Sequence, residues 1–467
     1  MTSVMWFRRD LRVADLPALE AAIEHGPVVP LFVFDDRLLK GRWSAPNRNA
    51  FLVECVQGLD AALRERGNRL HFRRGDPRDA VTAFARECDA SMVFASRDYT
   101  PFARRRDEAV SGALEAERIE FRLFPGTLAQ EPEAVSTAGG QPYSMFGPFY
   151  RRWAGLPRKA PIPAPQSIPG HSGLEIGQVP AFLVGANGSA PDRLHGGERA
   201  AQERLAGWVG NLPGYESGRD RMDREATSRL SQDLKFGTLS PRQVIAAAEV
   251  AGAAGSKFVS ELAWREFYYH VLWNHPRVLE RPFRPEFASL EWDANPGHVQ
   301  RWKDGETGFP IVDAAMRQLL ATGFMHNRAR MIVASFLTKD LHIDWRVGQE
   351  HFMHHLVDGD VANNNGGWQW AASTGTDPQP YFRIFNPFLQ SKRFDPEGAF
   401  IRRWVPELRR VPMGRIHEPH RMTFGEQASA GCLIGQDYPA PMVDHEVERR
   451  VAMERYRRKR GEATRCD

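Results

Sequence analysis

The sequence predicts a doubly wound, parallel α/β domain followed by an all-helical domain, and three observations carry that prediction. From Ser3 to about Leu128, short apolar runs alternate with amphipathic stretches. Between about Glu131 and Leu194, prolines and glycines break the rhythm. From Gly196 onward, apolar residues recur at helical spacing. A chain of 467 residues is too long for one core, so it divides into a Rossmann-like α/β domain (1–130), a connector (131–195) and a helical domain (196–467).

Taken in order, "SVMWF", "VVPLFVF", "NRLHF", "ASMVFAS" and "IEFRLF" read as buried strands, and segments such as "NRNAFLVECVQGLDAALRERG" as crossover helices. No G-x-G-x-x-G follows the first strand, so the usual dinucleotide fingerprint is missing. In the connector, Pro157, Pro161, Pro163, Pro165, Pro169, Pro180 and Pro191 disrupt helices and sheet interiors, which predicts a segment wrapped over the surface. Further on, "LSPRQVIAAAEV" opens a helix with Ser240 as N-cap and Pro241 at the first helical position. In "FPIVDAAMRQLLATG", Ile311, Ala315, Met316, Leu319 and Leu320 share one stripe. The tail "VERRVAMERYRRKRGEATR" reads as a solvated basic helix or a frayed end.

Composition narrows the function classes. Hydrophobic residues at 42% and charged residues at 26% suit a globular chain, and no apolar run reaches the roughly 18 residues that span a bilayer. Arginines inside the first apolar patch, "MTSVMWFRRDLRVADL", do not read as a signal peptide, so a cytoplasmic location is the expectation. Cys55, Cys88, Cys432 and Cys466 are far apart, which suggests reduced thiols and no metal site. A net charge of +4 permits a nucleic-acid partner without requiring one.

Some constellations carry more. Thr227, Ser228 and Ser231 gather before a helical segment, where hydroxyls and free backbone N–H groups hold phosphate or simply cap the helix. In "SELAWREFYYH", Glu261, Trp264, Arg265 and Tyr268 line one helix face, either a pocket wall for a flat ring or a half-buried surface with an ion pair. Asn327, Arg328 and Met331 point together one helix later, next to His326, which reads as a structural imidazole. In "GDVANNNGGWQWAASTGTD", amides offer donors and acceptors and glycines admit close backbone approach, so Asp358, Asp360, Asn364 and Asn365 would edge a heterocycle. Trp368 and Trp370 would diverge if the segment is helical.

Together these residues resemble the DNA photolyase/cryptochrome family, most closely its class I cyclobutane pyrimidine dimer photolyases. The motifs are "YESGRDRMDREATSRLSQDLKFGTLSPR", "ELAWREFYYH", "TGFPIVDAAMRQL", "GFMHNRARMIVASFLTKDLHIDW" and "DGDVANNNGGWQWAASTGTDPQPYFRIFNP", with "MWFRRDLRVAD" at the N-terminus. The resemblance implies a U-shaped FAD in the helical domain and an antenna chromophore in the α/β domain. It assigns the phosphate and sugar portions of FAD to Tyr215, Thr227, Ser228, Arg229, Leu230 and Ser231. Asp358, Gly359 and Asp360 would address the ribityl and flavin side, Asn364 the flavin N5, and an Arg330–Asp358 pair would balance charge. Trp368, Trp345 and Trp292 match an electron relay to the surface.

The resemblance also implies the reaction: photoexcited, reduced FAD lends an electron to a flipped-out dimer and recovers it. Trp264 and Trp370 would pack against the pyrimidines, beside Tyr268 and Met331, with Glu261 as a neutral acid raised by burial. Arg219, Arg265, Asn327, Arg328 and Gln390 match DNA-contacting positions. Members that repair (6-4) photoproducts carry histidines where Asn327 and Met331 stand here. The partner implied is UV-damaged DNA, met by a monomer without an obligate protein partner. The segments "YTPFARRRD" and "SAPNRNAFL" favour 8-hydroxy-5-deazaflavin over methenyltetrahydrofolate as antenna. Ala226, where the family usually has Gly, and Leu16-Pro17, in place of Asn-Leu, are departures. The alternative reading is a flavin photoreceptor of the cryptochrome kind.

Overall fold

The computed structural model describes residues 2–463 apart from 171–172, 186–187 and 379, so Cys466 lies outside the described residues. The five apolar runs give five parallel strands, β1 (Thr2–Phe7), β2 (Val28–Phe34), β3 (His71–Arg74), β4 (Ala90–Ser96) and β5 (Glu120–Phe124), in the order β3-β2-β1-β4-β5. Successive side chains leave opposite faces of a strand. Met5, Phe7, Phe32 and Phe94 accordingly enter one core, and Val4, Trp6, Leu31 and Val93 enter the other. The crossover helices Pro17–His25, Pro46–Arg64, Pro77–Glu87 and Pro101–Ala116 all begin on proline, whose missing N–H would have no partner there in any case.

The strand order reverses between β1 and β4, where sheets of this kind usually open a ligand crevice. In this chain, charged residues that follow β1 and β4 pair with one another and with the next helix. Arg8 and Arg106 both pair with Asp107, and Arg9 reaches Asp98 at 3.6 Å. Arg9 also crosses to the helical domain, where it meets Asp360 at 2.7 Å and the Tyr269 hydroxyl at 2.6 Å. Buried Arg12 donates to the Gly237 carbonyl at 2.9 Å, and Arg48 to the Leu356 carbonyl at 2.9 Å. Side chains from the α/β domain therefore help to shape the helical one.

The connector does more than wrap. Its Phe146–Ala154 helix packs on the Ala253–Asn274 helix, and buried Glu266 ties it down by accepting the Trp153 indole N–H at 2.6 Å and the Gln130 backbone N–H at 3.1 Å. Further along, the Val28 N–H donates to the Pro169 carbonyl at 2.7 Å, while Ile168 and Leu183 enter a sheet core.

The helical domain follows its caps and stripes. Ser240 and Gln243 form a reciprocal capping box on the Pro241–Glu249 helix. Along Pro310–Thr322, Ile311, Ala315, Met316 and Leu319 are buried, but Leu320 is exposed and leaves the expected stripe. Neighbouring helices cover most of this helix, and Leu320 falls on the strip they leave open. The basic tail is likewise corrected: its His445–Ala463 helix is anchored, with buried Tyr456 donating to the Ala372 carbonyl at 2.6 Å and His342 paired with Glu448 at 2.8 Å.

Candidate active site

A cavity of about 530 Å³ opens in the helical domain, within the range of small-molecule sites. One wall is the segment 227–231. Tyr215, Thr227, Ser228, Arg229, Leu230 and Ser231 all line the space. Arg229 holds a φ of +50°, a left-handed conformation that costs a side-chain-bearing residue about 1–2 kcal/mol, and the turn it makes sends successive residues toward the cavity. The Ala226 departure is accommodated by Gly218, since a Cβ there would come within 2.9 Å of the Ala226 methyl.

The opposite wall is the loop Asp358, Gly359 and Asp360 and the helix Val361–Ala371 that it leads into. Asp358 binds Arg330 at 2.8 Å through Oδ2, while its buried Oδ1 has no partner. A Cβ at Gly359 would press on the Arg48 guanidinium, so glycine admits this arginine from the α/β domain. Burial would raise the Asp360 carboxyl, but Arg9 and Lys235 outweigh it and hold the group below the usual carboxylate range. Burial, with Arg9 alongside, brings the Lys235 ammonium down to about 7. Asn364 lines the cavity and donates to the Gln349 carbonyl at 2.9 Å.

Asn365 departs from expectation. It turns away from the cavity to donate to Gln349 Oε1 at 2.8 Å and the Val278 carbonyl at 3.0 Å, because the next position around a helix points about 100° away. The two indoles diverge for the same reason. Trp368 is buried edge-on against Trp302 and Phe352, at centroid distances of 6.1 and 5.0 Å, and Trp370 lies partly buried at the cavity wall. Trp345 is buried in the same apolar cluster, and Trp292 packs against it.

Across the mouth stands the Ala253–Asn274 helix. Phe146 of the connector stacks on Trp264 at 3.8 Å and 10°, fixing the plane of that indole. Tyr268 lies over Gly366, where any Cβ would overlap its ring. Glu261 is corrected. It is only partly buried and is ion-paired with Arg219 and with Lys257, the latter at 3.1 Å, so it lacks the deep burial expected of it. Arg265 also has partners within the protein. It lines the cavity, and its guanidinium donates to the carbonyls of Thr127 and Leu234 at 3.2 Å, holding the two domains together.

Asn327 and Met331 line the cavity four residues apart, with the amide 3.8 Å from the thioether sulfur. Arg328 and Gln390 lie outside its wall. Arg328 pairs with Asp220 at 2.8 Å, and the Oε1 of Gln390 is buried without a partner. Sequence reasoning missed Lys235, Lys257, Phe324 and Trp302. Lys235 and Lys257 were legible from helical spacing, four residues from Ser231 and from Glu261. Trp302 lies outside every motif.

The donor set fits FAD. Hydroxyls and cations at one end suit a pyrophosphate, and the free Asp358 Oδ1 and Trp368 Nε1 at the other offer an acceptor and a donor to a polar ring.

Known proteins match both halves of the chain. Residues 3–166 match the family model described as DNA photolyase, and residues 258–458 the one described as the FAD binding domain of DNA photolyase. The deoxyribodipyrimidine photo-lyase of Halobacterium salinarum is 40% identical, over 98% of this chain and 99% of that protein. The crystal structure of a bacterial class III photolyase from Agrobacterium tumefaciens superposes with a TM-score of 0.93 at 36% identity, covering 98% of both chains. A cryptochrome from Synechocystis superposes at 0.90 with 29% identity, covering 97% of this chain and 98% of that one.

Proposed function

The chain belongs to the DNA photolyase family, and on that basis we propose how its own residues carry out the light-dependent repair of pyrimidine dimers in DNA, a lyase reaction that uses FAD. The observation that carries the reading is a cavity with two unlike ends: cations and hydroxyls around Thr227–Ser231, and aromatic faces with a charged rim at Trp264, Trp370 and Glu261. FAD bound there, reduced and excited by blue light, supplies the electron that is lent to the dimer and then recovered.

Arg330 and Asp358 fix a charge pair beside the flavin end, and Trp264, held flat by Phe146, gives a pyrimidine a surface to stack on. Trp370 offers a second surface. DNA phosphates compete for Arg219 and Lys257, and Glu261, released from them, turns to the lesion edge. Everting a damaged base pair costs less than everting a sound one, because the lesion already weakens stacking and pairing. Asn327 and Met331, where (6-4) enzymes carry histidines, favour cyclobutane dimers as substrate. Trp368, Trp345 and Trp292 serve as stepping stones for electrons from the surface, since short hops outrun one long jump.

For the antenna we favour 8-hydroxy-5-deazaflavin. Folate-using members place a carboxylate in the segment 99–107, and Asp107 there is already taken up by Arg8 and Arg106. We further read the protein as a monomer acting in the cytoplasm. No described helix is long and apolar enough to cross a membrane.

The test is to load the protein with FAD, reduce it and mix it with UV-irradiated oligothymidine. Thymine absorbance should return under blue light and stay absent in darkness. A second reading, a photoreceptor, draws on the likeness to the Synechocystis cryptochrome, and it is the reading that a flavin-loaded protein inactive in light would support.

A further inference from the structure

A smaller hollow of about 210 Å³ lies behind the main cavity, walled by the loop 222–229, by Gln318, Phe324 and His326, and by the Ala399–Trp404 helix. Thr227, Arg229 and Phe324 face both spaces. The repair chemistry described above makes no use of it.

Two of its wall atoms are buried without a partner, His326 Nε2 and Trp404 Nε1. His326 is 5% exposed. Its Nδ1 accepts the Arg328 N–H at 3.1 Å as the cap of the Asn327–Ser335 helix, which leaves the proton of the neutral ring on Nε2. Burial lowers this imidazole to about 4, so the neutral ring is the form present at physiological pH. An indole N–H only donates. Each buried donor without an acceptor costs about 1–3 kcal/mol, and here two share one hollow.

The charges around them point the same way. Arg224 and Arg229 make no ion pair among the described residues. Arg403 lies over the Trp404 ring at 5.1 Å and comes no nearer than 3.7 Å to Glu225, its side chain 61% exposed. Of the two acids in the wall, Asp223 is occupied by Arg221, and Glu225 stands in solvent. A nucleobase would bring donors of its own and leave the guanidiniums unpaired. A phosphodiester brings only acceptors, inorganic phosphate brings mostly acceptors, and both bring the charge they lack.

We propose that this hollow binds a phosphate group, its oxygens accepting from His326 and Trp404 and its charge met by Arg224 and Arg403. Its source is the substrate strand or free phosphate, and the strand arm rests on DNA being the substrate.

The experiment uses the flavin-loaded protein and two variants, Trp404→Phe and Arg403→Gln. Trp404→Phe removes one N–H and no charge, so general surface electrostatics cannot account for its effect. Affinity for a UV-irradiated oligonucleotide is measured across a salt series, and inorganic phosphate is titrated separately by calorimetry. With flavin content unchanged, Trp404→Phe should weaken binding by roughly three- to tenfold. Arg403→Gln should flatten the log–log salt dependence by about 0.7–0.9, one phosphate contact. Losses confined to the oligonucleotide identify a strand phosphodiester, and losses confined to inorganic phosphate identify the free anion. If both variants keep the wild-type melting temperature and bind both probes as wild type, the hollow holds only water and the proposal falls. Should Trp404→Phe fail to fold, Arg403→Gln at the surface decides. Wild-type protein that ignores damaged DNA would instead overturn the substrate reading, and the phosphate titration would still judge the hollow.

Discussion

The Val361–Ala371 helix has two flanks with opposite surroundings. On one, Trp368 is buried against Trp302 and Phe352, and a Cβ at Gly348 would overlap its ring. On the other, Trp370 looks into the cavity, near Tyr268 packed over Gly366. The same side chain thus occupies a crowded setting and an open one, only two positions apart. An indole in the first place has its ring packed among aromatic neighbours and only its N–H left without a partner; in the second it offers a face to be stacked upon. Position on the helix, not residue type, separates the two roles.

That contrast can be broken by substitution. Trp368→Phe keeps the packing but removes an oxidisable ring, so photoreduction of oxidised protein should slow by more than about tenfold, equivalent to roughly 1.4 kcal/mol on the barrier, while chemically reduced protein repairs normally. Transient absorption reads the first quantity, and unchanged photoreduction would remove Trp368 from the relay. Trp370→Ala should do the reverse. Loss of one base–aromatic stack, about 1–3 kcal/mol, weakens binding to damaged DNA roughly five- to hundredfold and leaves photoreduction alone. If both variants lose both functions, the flanks are not separate.

A smaller effect belongs to the phosphate end and should touch neither indole. Lys235 titrates near 7 in the folded protein, below its value of about 10.4 in an unfolded chain, so apoprotein stability should rise as pH climbs from 7 to 10 and the proton is lost. Binding of a pyrophosphate requires that proton back. FAD affinity should therefore fall by up to about tenfold per pH unit above about 7, and Lys235→Met should flatten the profile. A flavin fluorescence titration across pH decides it.

Much of this was legible in the sequence. The five apolar runs are the five strands, with the central β1, β2 and β4 buried and apolar on both faces and the edge strands β3 and β5 more exposed. Ser240 announced its helix by a local rule of capping. The cavity-lining motifs were legible as residue types at helical spacing. What stayed hidden depends on partners distant in the chain. Arg265 lies on the expected helix face, yet carbonyls of Thr127 and Leu234 claim its guanidinium, and no periodicity announces that. Glu261 met two cations, one of them from a separate segment. Trp302 reaches Trp368 only through tertiary packing.

Arg9 and Asp360, joined at 2.7 Å, are 351 positions apart. The guanidinium that steadies the cavity floor leaves the ribosome long before its carboxylate, which is made 351 residues later. Until then the arginine has no counter-charge from that side, and a nascent chain halted early lacks a finished nest for the flavin. Yellow colour in this protein is thus a report that translation has passed Asp360 and that the two distant segments have met.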